Sequence, residues 1–156
     1  MAGSFILRPA TAQDEAFLRS VYASARAWEF VGGSWADAER DAFLRLQYDW
    51  QEEHYRNAYS DAEWSVITVD GADAGRLIVH RGEAAIEIMD IALLDAWRGH
   101  GTGTDIIRSL MTEGATAGRP VRLWVENANR ARRLYERLGF LHISDHGPHC
   151  EYVWAP

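Results

Sequence analysis

Residues 98–103 read Arg-Gly-His-Gly-Thr-Gly, and this stretch decides the fold. It stands between a strand pattern predicted over 85–93 and a helical pattern predicted over 103–117. Glycines at 99, 101 and 103 let the backbone adopt positive φ and approach a ligand closely. Because a helix begins directly after the loop, its free N–H groups and its positive dipole end favour an anion. The stretch therefore predicts either an anion-binding loop or a tight strand-to-helix turn.

Two common phosphate-binding loops do not match this stretch. The continuation Thr104-Asp105-Ile106 lacks the third glycine of a dinucleotide fingerprint, and no acidic residue closes a following strand at the usual place. An ATP-type P-loop needs a lysine, whereas all 16 basic residues of this chain are arginine. The absence of lysine also excludes a Schiff-base mechanism.

Outward from the loop, the chain predicts the element order β-α-α-β-β-β-α-β-α-β-β, a mixed α/β (α+β) sheet fold. Thr11 or Asp14 is a candidate cap for the first helix, which is predicted to have an apolar side. That side comprises Phe17, Leu18, Val21, Tyr22 and Ala25. The second helix is predicted over 36–54, with one stripe formed by Phe43, Leu46, Gln47, Trp50 and His54.

Size and composition indicate one globular domain over residues 1–156. A net charge of −7 disfavours a nucleic-acid partner, which needs a basic face. No apolar run approaches the ~20 residues that span a bilayer, so no membrane partner is expected. Residues 1–8 lack the pattern of a secretory signal. Cys150 stands alone, which excludes an intramolecular disulfide and makes the cytoplasm the expected location.

Two motifs resemble the GNAT superfamily of acetyltransferases. Residues 98–103 match its signature Arg/Gln-x-x-Gly-x-Gly/Ala, placed after the fourth strand and opening the third helix. Residues 129–140, which read Asn-Arg-Ala-Arg-Arg-Leu-Tyr-Glu-Arg-Leu-Gly-Phe, closely resemble the family's second block. The motifs cover about 85–142, and the element order extends the match over the whole chain. The resemblance implies the GNAT fold and acetyl-CoA, or another short acyl-CoA, as the acyl donor.

The resemblance also implies which residues hold the cofactor. Backbone N–H groups of the loop bind the pyrophosphate in the family, and the end of the fourth strand pairs with the pantetheine arm. The matching loop positions here are Arg98, Gly99, His100, Gly101, Thr102 and Gly103, with Thr104 close by, and the strand positions are Ile91, Ala92 and Leu93. The N–H of Leu93 is a candidate oxyanion donor. Asn129 matches an asparagine that contacts the cofactor arm, with Asn127 as the rival register.

Three residues are candidates for the chemistry. Tyr135 matches a family tyrosine that protonates the departing thiolate, and its alternative role is a core aromatic. Glu87 matches a glutamate that acts as general base in some members, and Asp90 is a second carboxylate. Their odd spacing predicts that the two carboxylates cannot share a strand face. A salt bridge to an arginine is the alternative role for either, and a water chain is the alternative base.

The resemblance implies that the acceptor binds around the first two helices and the last two strands, which determine substrate specificity in the family. The candidate substrate-binding residues are Trp28, Glu29, Gln47, Tyr48 and Gln51, an aromatic and amide set that suits an amine. A direct-attack N-acetyltransferase acting on a small-molecule amine is the leading hypothesis. A protein or peptide acetyltransferase and a non-catalytic acyl-CoA-binding module are the alternatives. Residues 146–150 are not expected to bind a metal, because no fourth ligand is evident. The family's frequent dimers also raise the expectation of a homodimer.

Overall fold

The structure, a computed structural model, describes residues 4–156. Residues 1–3, which belong to the segment 1–8 that lacks a secretory-signal pattern, lie outside the described residues. Seven strands form one mixed sheet in the order β1-β2-β3-β4-β5-β7-β6. The strands are β1 Phe5–Pro9, β2 Glu63–Val69, β3 Ala72–Arg81, β4 Ile86–Leu93, β5 Val121–Glu126, β6 Leu141–His146 and β7 His149–Trp154. The predicted order and fold class are confirmed.

Four α-helices connect these strands. They are α1 Glu15–Arg26, α2 Asp37–Ala58, α3 Thr102–Ala117 and α4 Ala131–Arg137, and short 3-10 turns precede α1, follow α1 and precede the loop at 98–103. Ile106, Ile107 and Leu110 of α3 pack with the main apolar core of the sheet. A second apolar cluster joins α1 and α2 to Val66 of β2. Within residues 4–156 no helix is both long and apolar enough to cross a membrane.

The second helix packs through a different side from the predicted stripe. Leu44 and Tyr48 are buried, at 7% and 2% exposure. Phe43, Leu46 and Trp50 are 39%, 71% and 68% exposed. The sequence carries apolar residues on two sides of this helix, and periodicity alone does not tell which side another element will cover. The apolar members of the predicted stripe are therefore exposed, and Leu44 and Tyr48 form the inner side of the helix instead.

The central strands β4 and β5 separate along their length. Their parallel pairing covers only Ile86–Ile88 against Val121–Leu123. Beyond Ile88, β4 continues to Leu93 paired with β3 alone. The limited pairing leaves a gap beside Ile91, Ala92 and Leu93, the strand positions where the resemblance implies pairing with the pantetheine arm.

A β-bulge in β4 changes which side chains lie on each face. Asp90 is paired with Ile78 and Ile88 with Val79, so Met89 has no partner of its own on β3. One extra residue reverses the alternation of side chains along the strand. Glu87 and Asp90 therefore face the same side of the sheet, toward α1 and α2. The prediction that they cannot share a face is wrong, because it assumed an uninterrupted strand.

Candidate active site

A cleft of about 600 Å³ opens where β4 and β5 separate. α1, the turn after it and α2 form one wall, and β4, β5, Tyr135 and His149 complete the lining. The predicted site residues that line it are Glu87, Asp90, Ile91, Ala92, Asn129, Tyr135, Trp28, Gln47 and Gln51. The volume lies within the range of small-molecule sites, about 300–1,000 Å³.

Tyr135 extends from α4 into this cleft. Its side chain is 7% exposed, and its ring packs 6.0 Å from Phe140 and 6.3 Å from Tyr152, between ring centroids. Burial, and then the negative charge of Asp90, raise its pKa to about 12. Within residues 4–156, no atom accepts a hydrogen bond from its Oη. The hydroxyl therefore stays protonated at neutral pH and remains free to donate to a ligand.

Asp90 is held at the floor of the cleft by a buried arginine. Arg76 Nε donates to Asp90 Oδ2 at 2.6 Å, and Arg76 Nη2 donates to Gln51 Oε1 at 2.8 Å. The Arg76 side chain is only 2% exposed, and its guanidinium lies 5.4 Å from the Tyr22 ring centroid. Sequence reasoning did not select Arg76. Its signal was a charged residue inside the apolar run of β3, which needs a partner when buried.

Glu87, on the same face, also has a charged partner. It is buried and forms an ion pair with Arg122 of β5. His80 Nδ1 lies 3.9 Å from its carboxylate, and His80 Nε2 lies 3.1 Å from Asp61 at the surface. The alternative role, a salt bridge to arginine, is thus present for both Glu87 and Asp90. Both carboxylates nevertheless line the cleft.

Two predicted substrate contacts do not fit the observed positions. Tyr48 is 2% exposed and packs edge-on against Tyr22 at 5.6 Å, beneath the cleft wall. Glu29 accepts a hydrogen bond from Arg26 Nη1 at 2.9 Å and is absent from the cleft lining. Arg26 also pairs with Glu126 at the end of β5, so this arginine joins the turn after α1 to the sheet.

The loop at 98–103 has the backbone shape of an anion site. Gly99 and Gly101 have φ values of +76° and +86°, which glycine adopts without strain. A side chain on Gly99 would meet no atom within 4 Å. Gly101 precedes α3 and offers no side-chain acceptor, and Asp105 N makes the first helical hydrogen bond, to Gly101 O at 3.0 Å. The N–H groups that open α3 therefore have no helical acceptor.

Arg98 has a different role from its loop neighbours. Its N–H donates to Asp95 O at 3.2 Å, and its role in holding pyrophosphate stays a prediction. Its Nε donates to Leu93 O at 2.7 Å, and its Nη1 pairs with Asp95 at 2.6 Å. Arg98 thus ties the loop to the end of β4. The loop lies outside the 600 Å³ cleft, so it forms a separate part of the site.

The two asparagine registers differ in their surroundings. Asn129 lines the cleft, and its Oδ1 accepts from Ala131 N at 2.9 Å at the start of α4. Asn127 instead accepts from the Cys150 thiol at 2.6 Å and contacts the β6–β7 turn. Only Asn129 of these two reaches the cleft.

Residues 146–150 do not gather as one ligand set. His146 packs against Trp124 with ring centroids 4.9 Å apart, whereas His149 lines the cleft. Ligand atoms of His142, Asp145 and Cys150 do lie within 4.8 Å of one another. His142 already contacts Asp145 at 2.8 Å, and Cys150 already donates to Asn127. The absence of a resident metal stays a prediction.

A family model described as an acetyltransferase (GNAT) domain matches residues 60–141. No curated protein matches the chain in sequence.

Solved structures of similar fold span nearly the whole chain. A PaiA N-acetyltransferase from Thermoplasma acidophilum, in complex with coenzyme A, has a TM-score of 0.75 at 15% identity, over 98% of this chain and 99% of its own. An acetyltransferase from Thermus thermophilus has a TM-score of 0.70 at 17% identity, over 100% of both chains. A GNAT-family acetyltransferase from Listeria monocytogenes has a TM-score of 0.66 at 17% identity, over 100% and 98%. These likenesses show the fold.

Proposed function

The chain belongs to the GNAT family of acetyltransferases, and from this premise we propose that it transfers an acetyl group from acetyl-CoA to a primary amine of a small molecule. Family membership makes it an acetyl-CoA-dependent acyltransferase. The choice of acceptor is our proposal. It is carried by one observation: the gap between β4 and β5 opens into a cleft lined by Tyr135 and two carboxylates.

The loop and the end of β4 fit acetyl-CoA. Backbone N–H groups of Gly99, His100 and Gly101, with those opening α3, are the proposed pyrophosphate ligands. The N–H groups that open α3 belong to Thr102, Gly103 and Thr104. Thr102 is 2% exposed, so only its backbone is available. Ile91, Ala92 and Leu93 have no strand on their β5 side within residues 4–156, which suits pairing with an extended arm.

The acyl carbonyl supplied by acetyl-CoA would lie in the gap between the strands. Leu94 N donates to Ala74 O on β3 at 2.9 Å. Because successive N–H groups of a strand point to opposite sides, that of Leu93 points away from β3, into the gap. We propose that this N–H stabilises the negative charge that forms on the carbonyl oxygen when the amine attacks.

Two proton transfers remain for the side chains. Tyr135 Oη donates its proton to the departing sulfur, since it is protonated and has no acceptor among residues 4–156. We assign to Asp90 the acceptance of the proton lost by the amine, because it lines the cleft and its charge acts on Tyr135. Glu87 is the second carboxylate of the same face. The reaction then gains rate by holding both reactants together in the gap.

The single sheet, the lone cysteine and the volume of the cleft support our proposals on domain organisation, location and acceptor size. One sheet contains all strands of residues 4–156, which supports a single domain over 1–156. The lone Cys150 is buried and unpaired, which suits a cytoplasmic protein. A small amine is favoured over a peptide by the 600 Å³ cleft, and a homodimer remains a prediction.

Thiol release from acetyl-CoA with a panel of amines tests the proposal. We expect turnover with primary amines, and Tyr135→Phe to lower kcat about 100-fold by removing the acid while leaving acetyl-CoA affinity unchanged. Tyr152→Phe is the control, because its hydroxyl donates to Glu136 at 2.8 Å, away from the cleft. Acetyl-CoA binding without thiol release across the panel, unaltered in Tyr135→Phe, would instead identify a non-catalytic binding module.

A further inference from the structure

The outward side of α2 carries large apolar side chains, and within residues 4–156 only the segment of Phe30 and Trp35 packs against it, at Phe43. We call this side the α2 stripe: Phe43, Leu46, Gln47, Trp50 and His54. Leu46 and Trp50 are 71% and 68% exposed, large values for such side chains. Scattered apolar residues on a surface are ordinary, but a continuous row on one side of a helix indicates something that covers it.

The stripe is continuous with the cleft. Gln47, Trp50 and His54 belong to the stripe and also line the cleft. The rings of Trp50 and His54 stack with centroids 5.2 Å apart and planes 2° apart, which forms one flat aromatic wall. Trp28 lines the cleft as well and is 49% exposed. The stripe therefore begins at the wall of the cleft and continues away from it along α2.

The far end of the stripe is aromatic too. Phe43 lies 5.3 Å from Trp35 and 6.1 Å from Phe30, between ring centroids. From Phe43 to His54 the helix rises about 16 Å at 1.5 Å per residue. The stripe thus extends well beyond the length of an amine group, and it suits an elongated body.

The charged residues at the cleft and on α2 indicate which kind of group binds at the cleft end of the stripe. Three carboxylates, Glu87, Asp90 and Glu126, line the cleft together with Arg26. The helix that carries the stripe is acidic as well. Its acidic residues are Asp37, Glu39, Asp41, Asp49, Glu52 and Glu53, against the basic residues Arg40, Arg45 and Arg56. Each cleft carboxylate has an arginine partner, so the excess of acidic residues on α2 and the aromatic faces of Trp28 and Trp50 are what favour a cationic group at the cleft end.

We propose that the acceptor is a primary amine on an extended aryl or alkyl body, with the amine in the cleft and the body along the α2 stripe. This inference rests on the proposed function and narrows its substrate class. A small polar amine would leave the stripe in water, whereas an apolar body removes its apolar surface from water. Each methylene that becomes buried is expected to raise kcat/KM by up to about fourfold, until the stripe is covered.

The test compares three amines: phenylbutylamine, phenylethylamine and methoxyethylamine. Binding is measured by isothermal titration, and acetyl transfer by thiol release. We expect kcat/KM to fall in that order, with a span of at least about tenfold. Leu46→Ser and Trp50→Ala should each reduce the span to below about threefold. Leu141→Ser is the matched control, since Leu141 is 67% exposed on β6, and it should leave the span unchanged.

The outcomes separate the inference from the proposed function. Equal transfer to all three amines overturns the inference and leaves the acetyltransferase proposal standing. Binding that follows the series without any transfer supports the ligand class and overturns the proposed function. Neither binding nor transfer overturns both. If Leu46→Ser dissociates a dimer in sedimentation and the amine preference is unchanged, a second copy covers the stripe and the inference is overturned.

Discussion

The loop at 98–103 and the cleft between β4 and β5 are built in opposite ways. The loop is formed by consecutive residues, and its chemistry comes from backbone N–H groups and the φ values of glycine. The cleft is formed by side chains from the helices α1, α2 and α4 and from the strands β4, β5 and β7. Arg98 connects the loop to the end of β4, where its Nε donates to Leu93 O. One half of the site is therefore local in sequence, and the other half depends on how distant elements pack.

The substitution with the largest expected effect, Arg76→Met, disrupts the cleft and leaves the loop at 98–103 unchanged. Arg76→Met leaves Asp90 and Gln51 without their buried partner. We expect about 3 kcal/mol less stability in urea unfolding, because one member of a buried ion pair is removed. We also expect kcat/KM for the amine to fall about 100-fold through misplacement of the cleft floor, with the KM for acetyl-CoA unchanged.

Arg40→Met is the control for that experiment. Arg40 is 39% exposed and pairs with Asp37 at 3.5 Å, so its loss should cost at most about 1 kcal/mol. Equal loss of stability in both variants would contradict the importance of the Arg76–Asp90 pair. An increased KM for acetyl-CoA in Arg76→Met would show that loop and cleft are not independent.

The substitution with the next largest expected effect, Gly99→Ala, disrupts the loop and leaves the cleft unchanged. Gly99 and Gly118 both have positive φ, +76° and +65°, and a side chain on either would meet no protein atom within 4 Å. Alanine at either position should therefore cost a similar amount of stability, about 1 kcal/mol. Only Gly99→Ala places a methyl group in the proposed pyrophosphate cradle, so we expect its KM for acetyl-CoA to rise about tenfold. Steady-state kinetics and urea unfolding of both variants measure this; equal KM values would remove the loop from cofactor binding.

The smallest effect concerns pH. The pKa of Tyr135 is raised to about 12, mainly by burial, so the phenol keeps its proton throughout the range in which an ordinary tyrosine loses it. We expect kcat to change less than about twofold between pH 8 and 10.5. The measurement is kcat at saturating amine and acetyl-CoA. A decline centred near pH 10 that is absent in Tyr135→Phe would show that the hydroxyl is more exposed to solvent than the cleft suggests.

Much of the local structure was predictable from particular residues. Gly99, Gly101 and the helix that follows identified the loop, and alternating or helical patterns identified the order of elements. The inward position of Leu18, Val21 and Tyr22 on α1 followed from periodicity. These features depend on the conformational preferences of short segments, and such preferences act before any distant contact is made.

The cleft was less predictable, for three physical reasons. The bulge at Met89 has no sequence signal of its own, yet it decides that Glu87 and Asp90 share a face. The choice between two apolar sides of α2 was made by Tyr22 and Val66, which cover Leu44 and Tyr48. The role of Arg76 depends on partners at positions 51 and 90, which lie on α2 and β4.

By itself, the sequence determined the mixed fold, the glycine loop and the positions of Tyr135 and the two carboxylates along the chain. Backbone conformation and side-chain periodicity are local properties, so they can be read from consecutive residues. Only the tertiary structure decided which side of α2 stays exposed, that the two carboxylates lie on the same face of the sheet, and which arginine holds Asp90. Those outcomes depend on register, packing and the pairing of buried charge, which arise only when distant segments meet.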